Sequence, residues 1–259
     1  MSFLAELQSS MAALVGEDDR PIVVYGALWP IVREMRRNDS AAVDEILEAV
    51  IQLAAGRDLL MPSFAEGYRD GVCNLDEAPA STGVLSEHFR RRPESLRTLS
   101  AYYAFNVLGS AKAELGGLMP WDAWGEGSVY DWMEQRNARF LMLGTHPTQC
   151  SYLHRLEWLV REQLPYRYRK PFIGTLIRGG EPIPCEETLY VRSLTPPAKN
   201  DFTVLLPVLR EAGMLEQPLR GISLVAYDAC AARDAILPLL QRDPLLVLSN
   251  RGDFEKEPS

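Results

Sequence analysis

Four short apolar runs do most to constrain what this chain can fold into: Ile22-Val23-Val24-Tyr25, Leu59-Leu60-Met61, Phe140-Leu141-Met142-Leu143 and Ile222-Ser223-Leu224-Val225-Ala226. The first three stop at Gly26, Pro62 and Gly144, and runs of this length and composition read as buried strands. Between the first two, Ser40 opens a stretch with Val43, Ile46, Leu47, Val50 and Ile51 on one helical face, and Gly56 is the expected C-cap. Strand, helix, strand predicts a βαβ unit with its two strands parallel. Leu4, Leu7, Met11 and Leu14 predict an amphipathic helix over residues 2–15.

Further along, residues 82–92 read as a short helix stopped by Pro93, and residues 95–115 as mainly helical. Leu153, Leu156, Leu159 and Val160 place a helix within 150–163, and Phe202, Leu205, Leu206 and Leu209 another that ends at Gly213. Asp228 is the expected N-cap of a last helix through Ile236 and Leu240. Residues 65–79 and the tryptophan-rich stretch 121–128 read as loops. Residues 166–194, rich in glycine, proline and β-formers, read as antiparallel strands turning at Arg178-Gly179-Gly180-Glu181. The pattern is α/β with an antiparallel excursion, and neither a repeat nor a sharp boundary divides residues 1–259, so one domain is expected.

Composition excludes several classes. With 47% hydrophobic residues in 259, the chain supports a substantial core, which rules out disorder. No run approaches the roughly 20 apolar residues of a membrane span, and the first residues lack a basic n-region, so a cytoplasmic protein without a membrane partner is expected. A net charge of −8 argues against a nucleic-acid partner. Cys73, Cys150, Cys185 and Cys230 form no CxxC pair, so free thiols and no metal site are expected.

Glycine-rich nucleotide signatures and a GxSxG nucleophile elbow are both missing. Imidazole chemistry has three candidates, His88, His146 and His154. His154 stands out because it follows a strand and a loop, near the start of a helix, where α/β proteins place ligands. Cys150, Ser151 and Glu157 are its local polar company. Glu157, three residues on, shares its helical face and reads equally as a surface carboxylate or a site residue. Cys150 reads as a buried inert thiol, with a nucleophile as the alternative.

Taken in order, several segments resemble the aminoglycoside 3-N-acetyltransferase family, which is unrelated to the GCN5-type acetyltransferases. They are Asp58-Leu59-Leu60-Met61-Pro62-Ser63-Phe64, residues 79–93 with Thr82-Gly83-Val84-Leu85-Ser86-Glu87-His88-Phe89, Ser95-Leu96-Arg97-Thr98, Gly125-Glu126-Gly127-Ser128, Leu141-Met142-Leu143-Gly144, and Ser151-Tyr152-Leu153-His154-Arg155-Leu156-Glu157. The resemblance runs over roughly residues 20–250 and implies a layered αβα fold around a central mixed sheet. It also implies transfer of an acyl group from coenzyme A to the amine of an amino sugar or another small metabolite. His154 then matches the family's general base, and a carboxylate about thirty residues on orients it. Glu186 and Glu187 both stand near that place, and Glu187 is preferred.

The same resemblance points to Gly26, Ala27, Leu28, Arg97 and Ser128 for the donor, and to Ser63, Glu87 and Glu157 for the acceptor. A homodimer is admitted, and acetyl-CoA or another acyl-CoA is the co-substrate. The chain also departs from the family. Tyr25-Gly26-Ala27 stands where His-Ser-Ser is usual, and Arg97-Thr98-Leu99-Ser100-Ala101 where Arg-Ser-x-His-Pro is usual. A changed donor or acceptor fits these departures better than drug resistance.

Histidine suits the chemistry because an amine must lose a proton to attack a thioester, and an imidazole has its pKa near the working pH. Ser151 and Ser128 are candidate oxyanion donors. Two rivals remain: a Cys150 acyl-enzyme, and a non-catalytic binding protein.

Overall fold

The structure is a computed structural model and describes residues 2–37, 39–119 and 121–255; Met1, Asn38, Pro120 and residues 256–259 lie outside the description. In chain order its elements are α1 (Phe3–Val15), β1 (Ile22–Gly26), α2 (Trp29–Met35), α3 (Ser40–Leu53), β2 (Leu59–Pro62), β3 (Val72–Asn74), α4 (Val84–Arg90), β4 (Leu96–Arg97) and β5 (Phe105–Leu108). There follow α5 (Lys112–Leu115), α6 (Val129–Gln135), β6 (Arg139–Leu143), α7 (Leu153–Leu159), β7 (Arg167–Arg178), β8 (Glu181–Arg192), α8 (Leu206–Glu211), β9 (Leu215–Glu216), β10 (Leu224–Asp228) and α9 (Ala229–Arg242).

Seven strands form the central sheet in the order β4-β5-β2-β1-β6-β10-β9. β1 is parallel to both β2 and β6, whereas β5 and β10 run antiparallel outside them, so the sheet is mixed. Strand alternation sorts the side chains onto two faces. Ile22, Val24, Leu59, Met61, Leu141 and Leu143 join the core under α1 and α3; Val23, Tyr25, Leu60, Phe140 and Met142 join the core under α6, α7 and α9. Helices therefore cover both faces, giving the layered αβα arrangement.

Local signals place several elements. The Ser2 hydroxyl accepts from Ala5 N–H to start α1, and the Asp39 carboxylate accepts from Ala42 N–H at 2.8 Å to start α3. β7 and β8 are joined by Gly179 and Gly180, both at positive φ, as a two-residue hairpin turn of the primed type requires. This hairpin and β3 make a second, three-stranded sheet, so the 65–79 loop carries a short strand.

Three expectations are corrected. Residues 95–115 are not mainly helical: β4 and β5 form a hairpin along the free edge of β2, with the Thr98 hydroxyl accepting from Phe105 N–H at 2.9 Å. Only Lys112–Leu115 is helical there, because the pairing partner, remote in sequence, overrides the local pattern. The helix α3 is capped at Ala54, with Gly56 turning the chain two residues later at φ +84°. Asp228 does occupy the N-cap position of α9, but its carboxylate is held by Arg139 at 2.7 and 3.0 Å and does not cap the helix.

Candidate active site

His154 lies on the first turn of α7, downstream of β6, and its ring opens into a cleft of about 550 Å³ walled by the β7–β8 hairpin and by Tyr103, Trp124 and Phe202. The rings of Trp124 and Phe202 meet the imidazole edge-on at centroid distances of 5.7 and 5.1 Å. These contacts fix the plane of the ring, while 27% of the side chain remains exposed.

His154 Nδ1 lies 2.6 Å from Glu157 Oε2. Glu157 is fully buried, which a lone carboxylate could not sustain. It is sustained by a complete set of donors. Tyr166 Oη (2.9 Å), Arg167 Nε (3.0 Å) and Asn200 Nδ2 (2.8 Å) donate to Oε1, and Arg167 Nη2 donates to Oε2 at 2.7 Å. Burial opposes ionisation, but the Arg167 charge and the hydrogen bonds from His154 and Arg167 override it and hold the carboxyl at about 2.

An ionised Glu157 requires a proton on His154 Nδ1, so this tautomer is assigned from the network. Nε2 is then the unprotonated nitrogen, with no hydrogen-bond partner among the described residues. Burial lowers the His154 pKa below its ordinary value; the Glu157 hydrogen bond raises it, and the Arg167 guanidinium, 3.1 Å from Nδ1, lowers it again. The ring is accordingly neutral at pH 7 and available as a base.

The carboxylate on His154 is thus Glu157, which is buried with internal partners on both oxygens and not on the helix surface, and Glu187 is placed elsewhere. On β8, Glu187 is buried and accepts from the Ser100 hydroxyl and from Ala101 N–H at 2.9 Å. Burial, only partly offset by these bonds, pushes its pKa up to about 7. Ser151 does not face the cleft: its Oγ lies between Tyr25 Oη at 2.7 Å and Tyr130 Oη at 2.8 Å. Cys150, 2% exposed, is pushed up to about 11 by burial, against weaker hydrogen bonding from Tyr227 and Tyr25.

The other residues brought forward from the sequence lie outside this cleft. Arg97 is buried and donates to the carbonyls of Ser63, Leu75 and Ala78, with burial pushing it down to about 10. Four of its five N–H donors are thus spent on backbone carbonyls, and the buried side chain presents no open fork to a phosphate. Ser63 is fully buried, its Oγ without a hydrogen-bond partner among the described residues. Glu87 is locked by Arg90, Arg91 and Ala80 N–H, each at 2.8 Å, and held at about 2 chiefly by the Arg90 hydrogen bond. Ser128 caps α6 by accepting from Asp131 N–H. Gly26 ends β1, and Ala27 and Leu28 form the turn after it. There Ala27 N–H is bonded to Leu143 O at 2.9 Å, a Cβ on Gly26 would press on Leu85 at 3.1 Å, and the Leu28 carbonyl accepts from Ile31 and Val32.

Immediately after that turn, Trp29 is 70% exposed and shares a groove of about 280 Å³ with Arg33 and Arg36. Arg167, Asn200, Tyr103 and Trp29 escaped the sequence reading because none lies in a motif. Arg167 opens a strand and Asn200 sits in a loop, so only their convergence on Glu157 distinguishes them. Among the described residues no group of three or more His, Cys, Asp or Glu is placed to hold a metal, and no helix is long and apolar enough to cross a membrane.

The family profile described as aminoglycoside 3-N-acetyltransferase matches residues 52–236, well over half of the chain. No curated protein sequence matches it. Among solved structures, the apoenzyme of aminoglycoside acetyltransferase AAC(3)-IVa superposes with a TM-score of 0.71 at 20% identity, covering 94% of this chain and 90% of that one. AAC-IIIb in a binary complex with CoASH gives 0.77 at 19%, covering 93% and 97%, and AAC-VIa bound to sisomicin gives 0.74 at 15%, covering 92% and 97%. At such identities the superpositions establish the fold, which is the αβα arrangement found here, and the profile match establishes the lineage. The chain belongs to the aminoglycoside 3-N-acetyltransferase family.

Proposed function

We propose that the protein is an acyl-CoA-dependent N-acyltransferase in which His154 is the general base and Glu157 its orienting partner. The observation that carries this reading is the 2.6 Å contact between His154 Nδ1 and a fully buried, four-donor-locked Glu157 beside an open cleft. Family membership and a neighbour holding CoASH support coenzyme A as the acyl carrier.

When bound, the thioester supplies an activated carbonyl and a thiol leaving group. The chain's part is positional and electrostatic. Nε2 of neutral His154 accepts the proton that the amine loses as its nitrogen attacks, and Glu157 stabilises the imidazolium so formed while holding the ring in register. Trp124 and Phe202 prevent the ring from turning. Tyr103 lines the cleft, and its hydroxyl has no hydrogen-bond partner among the described residues. That makes it a better candidate donor to the developing oxyanion than Ser151 or Ser128, whose hydroxyls are engaged.

For the donor's nucleotide end, the exposed indole of Trp29 offers a stacking surface and Arg33 and Arg36 offer charge, directly after the β1 turn. The Ala27 amide of the turn is not available for this, because its N–H is already bonded to Leu143 O. The acyl-cysteine alternative loses support because Cys150 is buried and its thiol is harder to ionise than an ordinary one. A binding scaffold would not need an imidazole preorganised in this way.

The test is thiol release from acetyl-CoA in the presence of a panel of amines, with acetyl-CoA affinity measured by calorimetry. Turnover that falls by roughly 10²–10⁴ in His154→Ala while acetyl-CoA still binds supports the reading. An unchanged rate in that variant sinks it.

A further inference from the structure

The charge of the His154 cleft is opposite to that of the molecule. The chain carries −8 overall, yet the charged side chains lining the cleft are Arg167, Lys170 and Arg192, and no carboxylate is among them. Arg167 is neutralised by Glu157, which lies behind the cleft wall. Lys170 and Arg192 have no acidic partner among the described residues: Lys170 lies 5.1 Å from the Phe172 ring centroid, and the Arg192 guanidinium has only the Ala198 carbonyl, at 3.5 Å. Of the acids around the hairpin, Asp122 is taken up by Trp158 Nε1 at 3.0 Å and Arg169 at 3.6 Å, and Glu187, opposite Phe172 on β8, is buried against Ser100 and Ala101 N–H. Two uncompensated cations therefore face a base whose task is to receive a proton from an amine.

An acceptor with several ammonium groups would meet like charge on entering and would find no carboxylate to replace its water, so both steering and binding would oppose it. An amine that also bears a phosphate or carboxylate would be drawn in. Its anion would settle against Lys170 and Arg192, leaving its nitrogen to reach Nε2.

Resting on the transferase reading above, we propose that the acceptor of this enzyme is an anionic amine, an amino sugar phosphate or an amino acid-like compound, and that Lys170 and Arg192 select it. In the transfer the new C–N bond forms as the thioester C–S bond breaks, the amine proton passes to His154 Nε2, and the sulfur leaves as the thiol(ate). The anion takes no part in the bond changes and serves to position the amine. The donor's phosphates are a second source of negative charge, and the experiment separates the two.

Glucosamine 6-phosphate and glucosamine form a pair that differs only in the anion, and kanamycin supplies a polycation. With acetyl-CoA as donor, kcat/KM for glucosamine 6-phosphate is expected to exceed that for glucosamine by roughly tenfold or more at low ionic strength, shrinking as salt is added. That ratio should collapse towards unity in Lys170→Glu/Arg192→Glu, and partly in the neutral Lys170→Gln/Arg192→Gln. Because it is taken within one variant, the ratio is insensitive to the fraction folded.

A ratio near one in the wild type, a preference for kanamycin, or a ratio that survives charge reversal overturns the inference. So does a loss of coenzyme A affinity in the double variant with the ratio intact, since the cations would then serve the donor. Calorimetry with glucosamine 6-phosphate alone keeps the two claims apart. Acetyl transfer to kanamycin without binding of the phosphate overturns the inference and leaves the transferase reading standing, whereas absence of acetyl-CoA binding overturns that reading and the inference with it.

Discussion

Glu157 and Arg167 form a bidentate pair within the wall of the cleft, Nε to Oε1 at 3.0 Å and Nη2 to Oε2 at 2.7 Å, and the Oε2 edge of that pair also contacts His154 Nδ1. The imidazole is thus oriented by an ion pair assembled from α7 and from the start of β7. An ion pair so deeply buried is costly to assemble and far costlier to leave half-made.

Replacing Glu157 by Gln should keep the packing while removing the charge that selects the tautomer. We expect kcat to fall roughly 10²–10⁴-fold with acetyl-CoA affinity within about twofold of wild type, as measured by steady-state kinetics and calorimetry. A fall confined to KM would contradict the assigned role.

Arg167→Met should leave Glu157 buried without a counter-charge. A loss of about 3–5 kcal/mol in chemical denaturation is expected, with smaller losses for Asn200→Ala. Equal effects of the two would mean that charge compensation is not what holds the carboxylate.

The pH profile follows from the lowered His154 pKa. The free base is needed, so activity rises with pH through that pKa, and the acid limb of kcat/KM, which reports the free enzyme, should lie below pH 6.5. Because Glu157 raises the pKa and Arg167 lowers it, removing the carboxylate should move the limb to lower pH and removing the guanidinium should move it up. Stability follows the same sign: a folded pKa below the unfolded value means that the unfolded state binds the proton more readily, so His154 lowers stability as pH falls below about 6.5.

Glu187 titrates in the opposite sense. Its folded pKa is raised from 4.5 to about 7, so the folded state holds the proton more tightly and stability declines as pH rises between those values. The shift corresponds to about 3 kcal/mol at most. Glu187→Gln should flatten this decline in thermal unfolding and leave kcat within a few-fold of wild type. A loss of activity as large as that of Glu157→Gln would restore Glu187 as the base's partner.

Trp29→Ala tests the donor cradle. Loss of one stacking surface is expected to weaken coenzyme A binding by roughly tenfold, about 1.4 kcal/mol, while pantetheine thioesters that lack the nucleotide bind with less difference between variant and wild type. Unchanged affinity for the full donor removes Trp29 from the site.

The strands Ile22–Gly26, Leu59–Pro62 and Arg139–Leu143 and the Gly179-Gly180 hairpin were legible because each is dictated by its own residues: apolar runs between Gly or Pro, and two glycines free to take positive φ. The His154–Glu157 spacing was legible as well, since three residues on a helix make one face. Residues 96–108 were not, because they become strands only where the edge of β2 offers them a ladder. Nor could spacing tell Glu157 from Glu187 as the partner of His154. That choice was made by Arg167 from the hairpin, Tyr166 just before it and Asn200 from a distant loop, which together keep a buried carboxylate ionised, while Glu187 was left with a hydroxyl and an amide. Sequence by itself determined the α/β framework and the helical face that His154 shares with Glu157, because both are written in local pattern. Tertiary structure alone decided which carboxylate carries charge beside that imidazole and which charges line its cleft, because ionisation in a dry interior depends on groups that only the folded chain brings within hydrogen-bonding distance.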